Sequence, residues 1–343
     1  REIPDDGIDQ NCLGGDARIS RDPKDLRFSP LPATVPGDAN VLLISVDTVR
    51  ADHASAYGYH RPTTPVLDQL AGEGALFVNT WAHAPSTRYS IPAMITGRYP
   101  SQVKWDMSVW WPALQLENLT LAEVMKSRGL TTGAILNYRY FDPVRRMNQG
   151  FDHYDNSNAR LHQGRDPAST RGSSSRQQAD AAIRYLERVA GQRFFLWVHF
   201  YDPHYEFERH AGTVSFGNDL QALYDHEIRF TEEQIARVLR RLRELNLYQR
   251  TIIIWTSDHG EGFGAHDYWF DHGTYLYDEE LRVPLILRLP GGAHAGTRVD
   301  GQTRLLDLTP TTLDVLGLES ADALSGTSLL PLLGGADDDA RPS

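Results

Sequence analysis

Asn40–Val46, NVLLISV, followed at once by Asp47-Thr48-Val49-Arg50, is the stretch on which the fold turns. It is short, almost free of polar residues and rich in β-branched ones, as expected of a strand covered on both faces. Similar runs recur at 131–136, Phe194–Phe200, Thr251–Ser257 and 283–289. Helical patterns lie between them. The clearest is 219–245, where Leu223, Ile228, Ile235, Val238, Leu239, Leu242 and Leu245 recur at helical spacing among Arg and Glu. Strands alternating with helices predict an α/β fold with a mixed, mostly parallel central sheet flanked by helices.

The composition sets bounds on function. With 41% hydrophobic and 23% charged residues, the 343-residue chain has the make-up of a globular protein that builds its own core. Its apolar runs are too short to cross a bilayer as a helix. Residues 1–16 are polar and acidic, unlike a signal peptide, so the chain reads as a processed or excised piece. A net charge of −11 argues against a general nucleic-acid binder, and positive charge for an anionic substrate has to be local. Cys12 is the single cysteine, which rules out an internal disulfide and a cysteine nucleophile in the body of the domain.

Three segments read as irregular: residues 1–38, rich in Asp, Gly and Pro; the Ser/Arg-rich loop 156–175; and the acidic tail 334–343. In the first, Asp5, Asp9, Asn11 and Asp16 offer oxygen ligands among glycines, a pattern that suits calcium and equally a solvated acidic linker.

Four motifs fall where strands end or helices begin, the edge at which open α/β sheets place ligand sites. Asp47 directly follows the first strand, a position that also suits a turn residue. Asp258 and His259 follow another strand, and an adjacent carboxylate and imidazole suit zinc or manganese. In APSTRYSIPAMITGRYP (84–100), a hydroxyl at Ser86 or Thr87 stands at a helix start, serving either as an N-cap or beside a bound anion. In FFLWVHFYDPHYEF (194–207), His199, Asp202 and His204 follow a strand, with His204 the better placed to face a site.

The order of these motifs resembles the sulfatase branch of the alkaline phosphatase superfamily. The resemblance runs over about 40–333 and includes YDHEIRFTEEQIARVL (224–239), YDEELRVPLIL (277–287) and LLDLTPTTLDVLGL (305–318). It implies an alkaline-phosphatase-like catalytic domain over 39–333, its C-terminal subdomain reduced or absent. Asp47, Asp258 and His259 become metal ligands. His204 and His272 match positions that contact the anionic group or a second metal. Arg88 is a candidate clamp on a nonbridging oxygen; Asn137, His266, Asp271 and Glu261 are further candidates, whereas Arg50 and Asp52 tie down the loop after the first strand. The resemblance also implies an extracytoplasmic location.

The chain departs from the family at the nucleophile. Sulfatases carry C-x-P-x-R or S-x-P-x-R, whose first residue becomes formylglycine. Counting back from Thr96-Gly97-Arg98 puts Thr87 at that position, Tyr89 at the proline and Ile91 at the arginine, while Pro85-Ser86-Thr87-Arg88 imitates the motif out of register. Threonine is not a formylglycine precursor, so none is expected. The segment 87–94, TRYSIPAM, instead resembles the T-x-x-S-x-P pattern of phosphoethanolamine transferases, which use a threonine nucleophile. Thr48 in place of a further Asp ligand, together with His259, moves the site from a calcium-type cage toward zinc or manganese, with calcium or magnesium as the alternatives. The expected function is metal-dependent cleavage of phosphate mono- or diesters, or sulfate esters, through a covalent intermediate on Thr87, itself a metal ligand, with His272 or His204 as general acid. A phospho-headgroup transferase acting on a lipid or glycan and a non-catalytic metal-binding module are the alternatives. The expected partner is an anionic ester, with no nucleic acid and no membrane span in this chain.

Overall fold

The computed structural model describes residues 35–108, 111–162, 174–269, 271–318 and 324–335. Asp5, Asp9, Asn11 and Asp16, most of the Ser/Arg loop and nearly all of the acidic tail lie outside them. Along the chain the strands are β1 (Asn40–Val46), β2 (Ala75–Trp81), β3 (Trp105–Asp106), β4 (Ala113–Leu114), β5 (Thr131–Ile135), β6 (His153–Asp155), β7 (Phe194–Phe200), β8 (Thr251–Ser257), β9 (Arg282–Arg288) and β10 (Thr297–Arg304). The helices are α1 (Pro65–Glu73), α2 (Thr87–Thr96), α3 (Leu121–Ser127), α4 (Ser175–Val189), α5 (Leu220–Glu244), α6 (Asp278–Leu281), α7 (Leu308–Val315) and α8 (Leu330–Leu333).

Eight strands form one sheet in the order β10-β2-β9-β8-β1-β7-β5-β6, and β3 pairs with β4 separately. β1 is central and parallel to both neighbours, with Val46 opposite Phe200 on one side and Ser257 on the other. β9 runs antiparallel to β8 and β2, so the sheet is mixed as expected. Alternate residues of β1 point to opposite faces. Val41 and Leu43 join Phe195, Trp197, Ile252 and Ile254 in one apolar cluster, while Leu42, Ile44 and Val46 join Leu196, Val198, Ile253 and Trp255 in the other. Both faces are therefore core, which explains why β1, β7 and β8 read as continuous apolar runs.

The long helix is α5, with Asp219 as its N-cap accepting from Ala222 N–H at 2.8 Å. It supplies Glu232, whose Oε2 accepts from Val66 N–H and Leu67 N–H at 2.7 and 3.0 Å, satisfying the start of α1. The other oxygen accepts from Trp255 Nε1 at 3.0 Å, joining α1, α5 and β8.

Candidate active site

The central strands deliver the candidate residues. Asp47 N–H donates to Phe200 O at 2.8 Å, carrying the β1–β7 ladder one residue past β1. The next residue, Thr48, has φ of 59° and turns the chain sharply. Ser257, at the end of β8, accepts from Val49 N–H at 2.8 Å and lies 2.7 Å from the carbonyls of Val46 and His259, so one hydroxyl ties both strand ends. Arg50 pairs with Asp52 through two bonds of 2.8 and 2.7 Å and donates to Glu261 O at 3.2 Å, holding the two loops together.

Asp47, Asp258 and His259 are fully buried, and one ligand atom from each lies within 4.8 Å of the others. His259 Nδ1–H donates to Gly260 O at 2.9 Å, which leaves the Nε2 lone pair facing Asp47 Oδ1 at 3.5 Å and Asp258 Oδ2 at 3.6 Å. Those two carboxylate oxygens have no hydrogen-bond partner. Burial, and then the neighbouring Asp258, push the Asp47 carboxyl well above the usual carboxylate range. Two buried carboxylates side by side are costly without a cation. Orphaned oxygens converging with an imidazole lone pair are a donor set that fits a divalent metal ion.

Thr87 completes the cluster. Ser86, the N-cap of α2, is extended, and Thr87 is the first helical residue, buried at 4% exposure. Its Oγ lies 3.2 Å from His259 Nε2 and 3.5 Å from Asp47 Oδ2. The first N–H groups of a helix have no intrahelical acceptor, so this end favours negative charge. Ser90, one turn on, donates to Asp258 O at 2.6 Å and fixes the helix against the end of β8.

Aromatic and imidazole rings wall the site. The His272 ring centre is 4.4 Å from that of His259 and 4.9 Å from that of His204, which stacks on Tyr201 at 4.6 Å. His272 Nδ1 stands 3.3 Å from buried Glu261. Burial holds His204 down to about 3 and His272 down to about 4, and pushes Glu261 up to about 7. Arg88 is half-buried beside Thr87.

Other candidates sit elsewhere. The Asn137 carboxamide is used within the fold, with its N–H2 donating to His199 O at 2.8 Å and its oxygen accepting from Tyr201 N–H at 3.2 Å and Ser174 Oγ at 2.6 Å. His266 is exposed; it stacks on Tyr277 at 3.9 Å and faces Glu279 at 3.8 Å rather than the Asp/His cluster. Asp271 is exposed and accepts from His272 N–H at 2.9 Å. His199, whose role the sequence leaves open, is fully buried with Nε2 3.5 Å from Asp47 Oδ2.

A family model described as Sulfatase matches residues 39–318. The chain belongs to the sulfatase family. Among curated relatives, a ulvan-active sulfatase of Formosa agariphila is 26% identical, over 89% of this chain and 67% of the relative. Iduronate 2-sulfatase of Mus musculus is 25% identical over 86% and 68%. A phosphonate monoester hydrolase of Agrobacterium radiobacter has the same fold, with a TM-score of 0.72 at 22% identity, covering 89% of this chain and 79% of that one. Membership makes the protein a sulfatase-family hydrolase of the alkaline phosphatase superfamily. Among the described residues, no helix is long and apolar enough to cross a membrane.

Proposed function

We propose that this sulfatase-family hydrolase cleaves phosphate or sulfate esters through a covalent ester on Thr87, with Asp47, Asp258 and His259 holding zinc or manganese. The observation that carries this reading is the position of the Thr87 hydroxyl at the first turn of α2, 3.2 Å from His259 Nε2 and 3.5 Å from Asp47 Oδ2. A bound divalent ion supplies Lewis-acid stabilisation of the ester oxygens and lowers the pKa of a nearby hydroxyl.

The chain's own residues do the rest. Thr87 Oγ forms a bond to phosphorus or sulfur as the bond to the leaving oxygen breaks, and its proton passes to Asp47 Oδ2. The free N–H groups at the start of α2 receive the charge on the equatorial oxygens. His272, held through Nδ1 by Glu261, gives the leaving oxygen a proton; an anionic ester beside the ring raises its pKa from the value that burial alone imposes. Water then cleaves the Thr87 ester and restores the hydroxyl. The family resemblance supports an extracytoplasmic location for this chemistry.

The test combines metal analysis of the purified protein with rates on aryl phosphate monoesters, phosphodiesters and sulfates, for wild type and Thr87→Ala. The reading expects bound metal and turnover that the substitution abolishes. Unchanged turnover in Thr87→Ala would overturn it. Product diverted to an added alcohol acceptor would favour a transferase.

A further inference from the structure

The loop between β7 and α5 folds onto the helix it leads into, and two histidines hold it there. His226, near the start of α5, is buried. Its Nδ1 lies 2.8 Å from Val214 O, and its Nε2 accepts from His210 N–H at 2.8 Å. A carbonyl can only accept and an amide N–H can only donate, so Nδ1 carries the ring proton and Nε2 is a bare acceptor. The imidazole is therefore neutral in this arrangement. A proton on Nε2 would set N–H against N–H and break the bond to His210.

Neighbouring contacts extend the hold along the helix. The His210 ring stacks on Phe230 at 3.6 Å, and its Nε2 lies 2.7 Å from Glu227 Oε2. Glu227 Oε1 accepts from Glu208 N–H at 2.5 Å, and the Thr213 hydroxyl donates to Glu233 Oε2 at 2.8 Å. Positions 226, 230 and 233 share one helix face, so residues 208–214 lie along a single strip of α5. The same loop carries Phe207, which packs on Tyr224 at 5.5 Å and on Phe263 at 6.3 Å. Phe263 belongs to the loop that follows Asp258 and His259. The segment on α5 thus braces the candidate site from behind.

The charges around the two rings set the direction of their response. Burial holds the His226 pKa below the usual 6.5, opposed by Val214 O and Glu233 and assisted by His210 and Arg209. His210 is likewise lowered by burial, with Asp202, Glu208 and Glu233 pulling against that and Arg176 adding to it. A cationic His210 still donates to the Glu227 carboxylate, so that contact tolerates a proton. The His226 Nε2 contact does not. Its stabilisation is complete above about 6.5 and is lost as pH falls through the lower folded value.

We propose that His226 is an acid-sensitive latch: the neutral ring holds residues 208–214 on α5, and a proton on Nε2 releases them and loosens the Phe207–Phe263 packing behind the candidate site. The proton comes from solvent and no covalent bond changes. The device is independent of which ester the protein cleaves.

Hydrogen–deuterium exchange, corrected for the intrinsic pH dependence of amide exchange, tests it on the full chain at about pH 7.5 and about pH 5. Circular dichroism checks that each variant is folded. In wild type, protection of the 205–219 amides is expected to fall roughly tenfold at the lower pH while β1, β7 and β8 keep theirs. His226→Gln supplies a carbonyl oxygen that accepts from His210 N–H and does not titrate, so its protection should be the same at both pH values. His210→Gln keeps the backbone N–H and the His226 ring, and should keep the response. His226→Ala should lack the protection already at the higher pH. Constant protection of the segment in wild type, a full response in His226→Gln, or retained protection in His226→Ala overturns the proposal.

Discussion

Ser45 Oγ and His199 Nδ1 lie 2.8 Å apart at directly opposed positions of the β1–β7 pairing. Trp197 Nε1 donates to the same hydroxyl at 2.8 Å, so Ser45 Oγ holds both rings. His199 Nε2 stands 3.5 Å from Asp47 Oδ2. A fixed buried imidazole behind a candidate ligand carboxylate orients that carboxylate. His199→Phe is expected to weaken metal retention and turnover by roughly 10- to 100-fold, read by chelator competition and initial rates. Ser45→Ala, which removes the hydroxyl partner of His199 Nδ1, has the smaller effect in the same direction. Full metal affinity in His199→Phe would remove this role.

Thr87→Ser keeps a hydroxyl at the first turn of α2, and Thr87→Ala does not. The serine variant is expected to stay within about tenfold of wild type, while the alanine variant loses roughly a thousandfold or more. Rapid quench and intact-mass measurement of wild type should find the phosphoryl or sulfuryl group on the peptide containing Thr87. Its location on another residue would redirect the mechanism.

Gly260 supports the loop through a close backbone approach. A Cβ there would stand 1.9 Å from Glu279 O, and Gly260 N–H donates to Glu280 O at 2.7 Å. Gly260→Ala is expected to cost about 1–3 kcal/mol of stability and to lower activity as well, because Gly260 O positions the His259 ring. Gly72→Ala is the contrasting case: it meets nothing within 4 Å inside α1 and should stabilise by roughly 0.5–1 kcal/mol. Urea unfolding of the two variants measures both signs.

Glu232 gives stability a pH dependence. Burial pushes its carboxyl from 4.5 up to about 7, against the three N–H groups that favour the charged form. The folded state then keeps a proton that the unfolded chain has already lost, so this contribution is complete below 4.5 and declines as pH rises toward 7. The loss amounts to about 3 kcal/mol. Urea midpoints at about pH 5 and about pH 8 for wild type and the non-titrating Glu232→Gln should show the wild type losing ground at the higher pH. A difference independent of pH would mean that the carboxyl is ionised throughout. Glu232→Gln is itself destabilising, since an amide cannot accept from both the α1 start and Trp255.

The interior strands were legible because each is covered on both faces. β1, β7 and β8 coincide with the apolar runs, the 131–136 run extends one residue past β5, and the 283–289 run is shifted by one residue from β9. β2 and β10 escaped notice. TRVDGQTR carries little apolar signal of its own, and it becomes a strand by pairing with Ala75–Trp81. At the candidate site, Asp47, Asp258 and His259 stand out because strand ends are local features, whereas Thr87 is separated from Ser86 only by the register of the family resemblance. The use of the Asn137 amide within the fold and the role of His199 do not stand out, because both depend on register between strands far apart in sequence.

The placement of Asp47 and His259 just past the middle strands of an eight-stranded sheet affects how the protein fails under stress. Amides in such strands exchange with solvent only through global opening, whereas edges such as β10 and β6 fray in smaller excursions. These candidate site residues thus belong to the last cooperative unit to come apart. Heat inactivation should follow complete unfolding, and partial loosening at the sheet margins should leave the candidate site assembled.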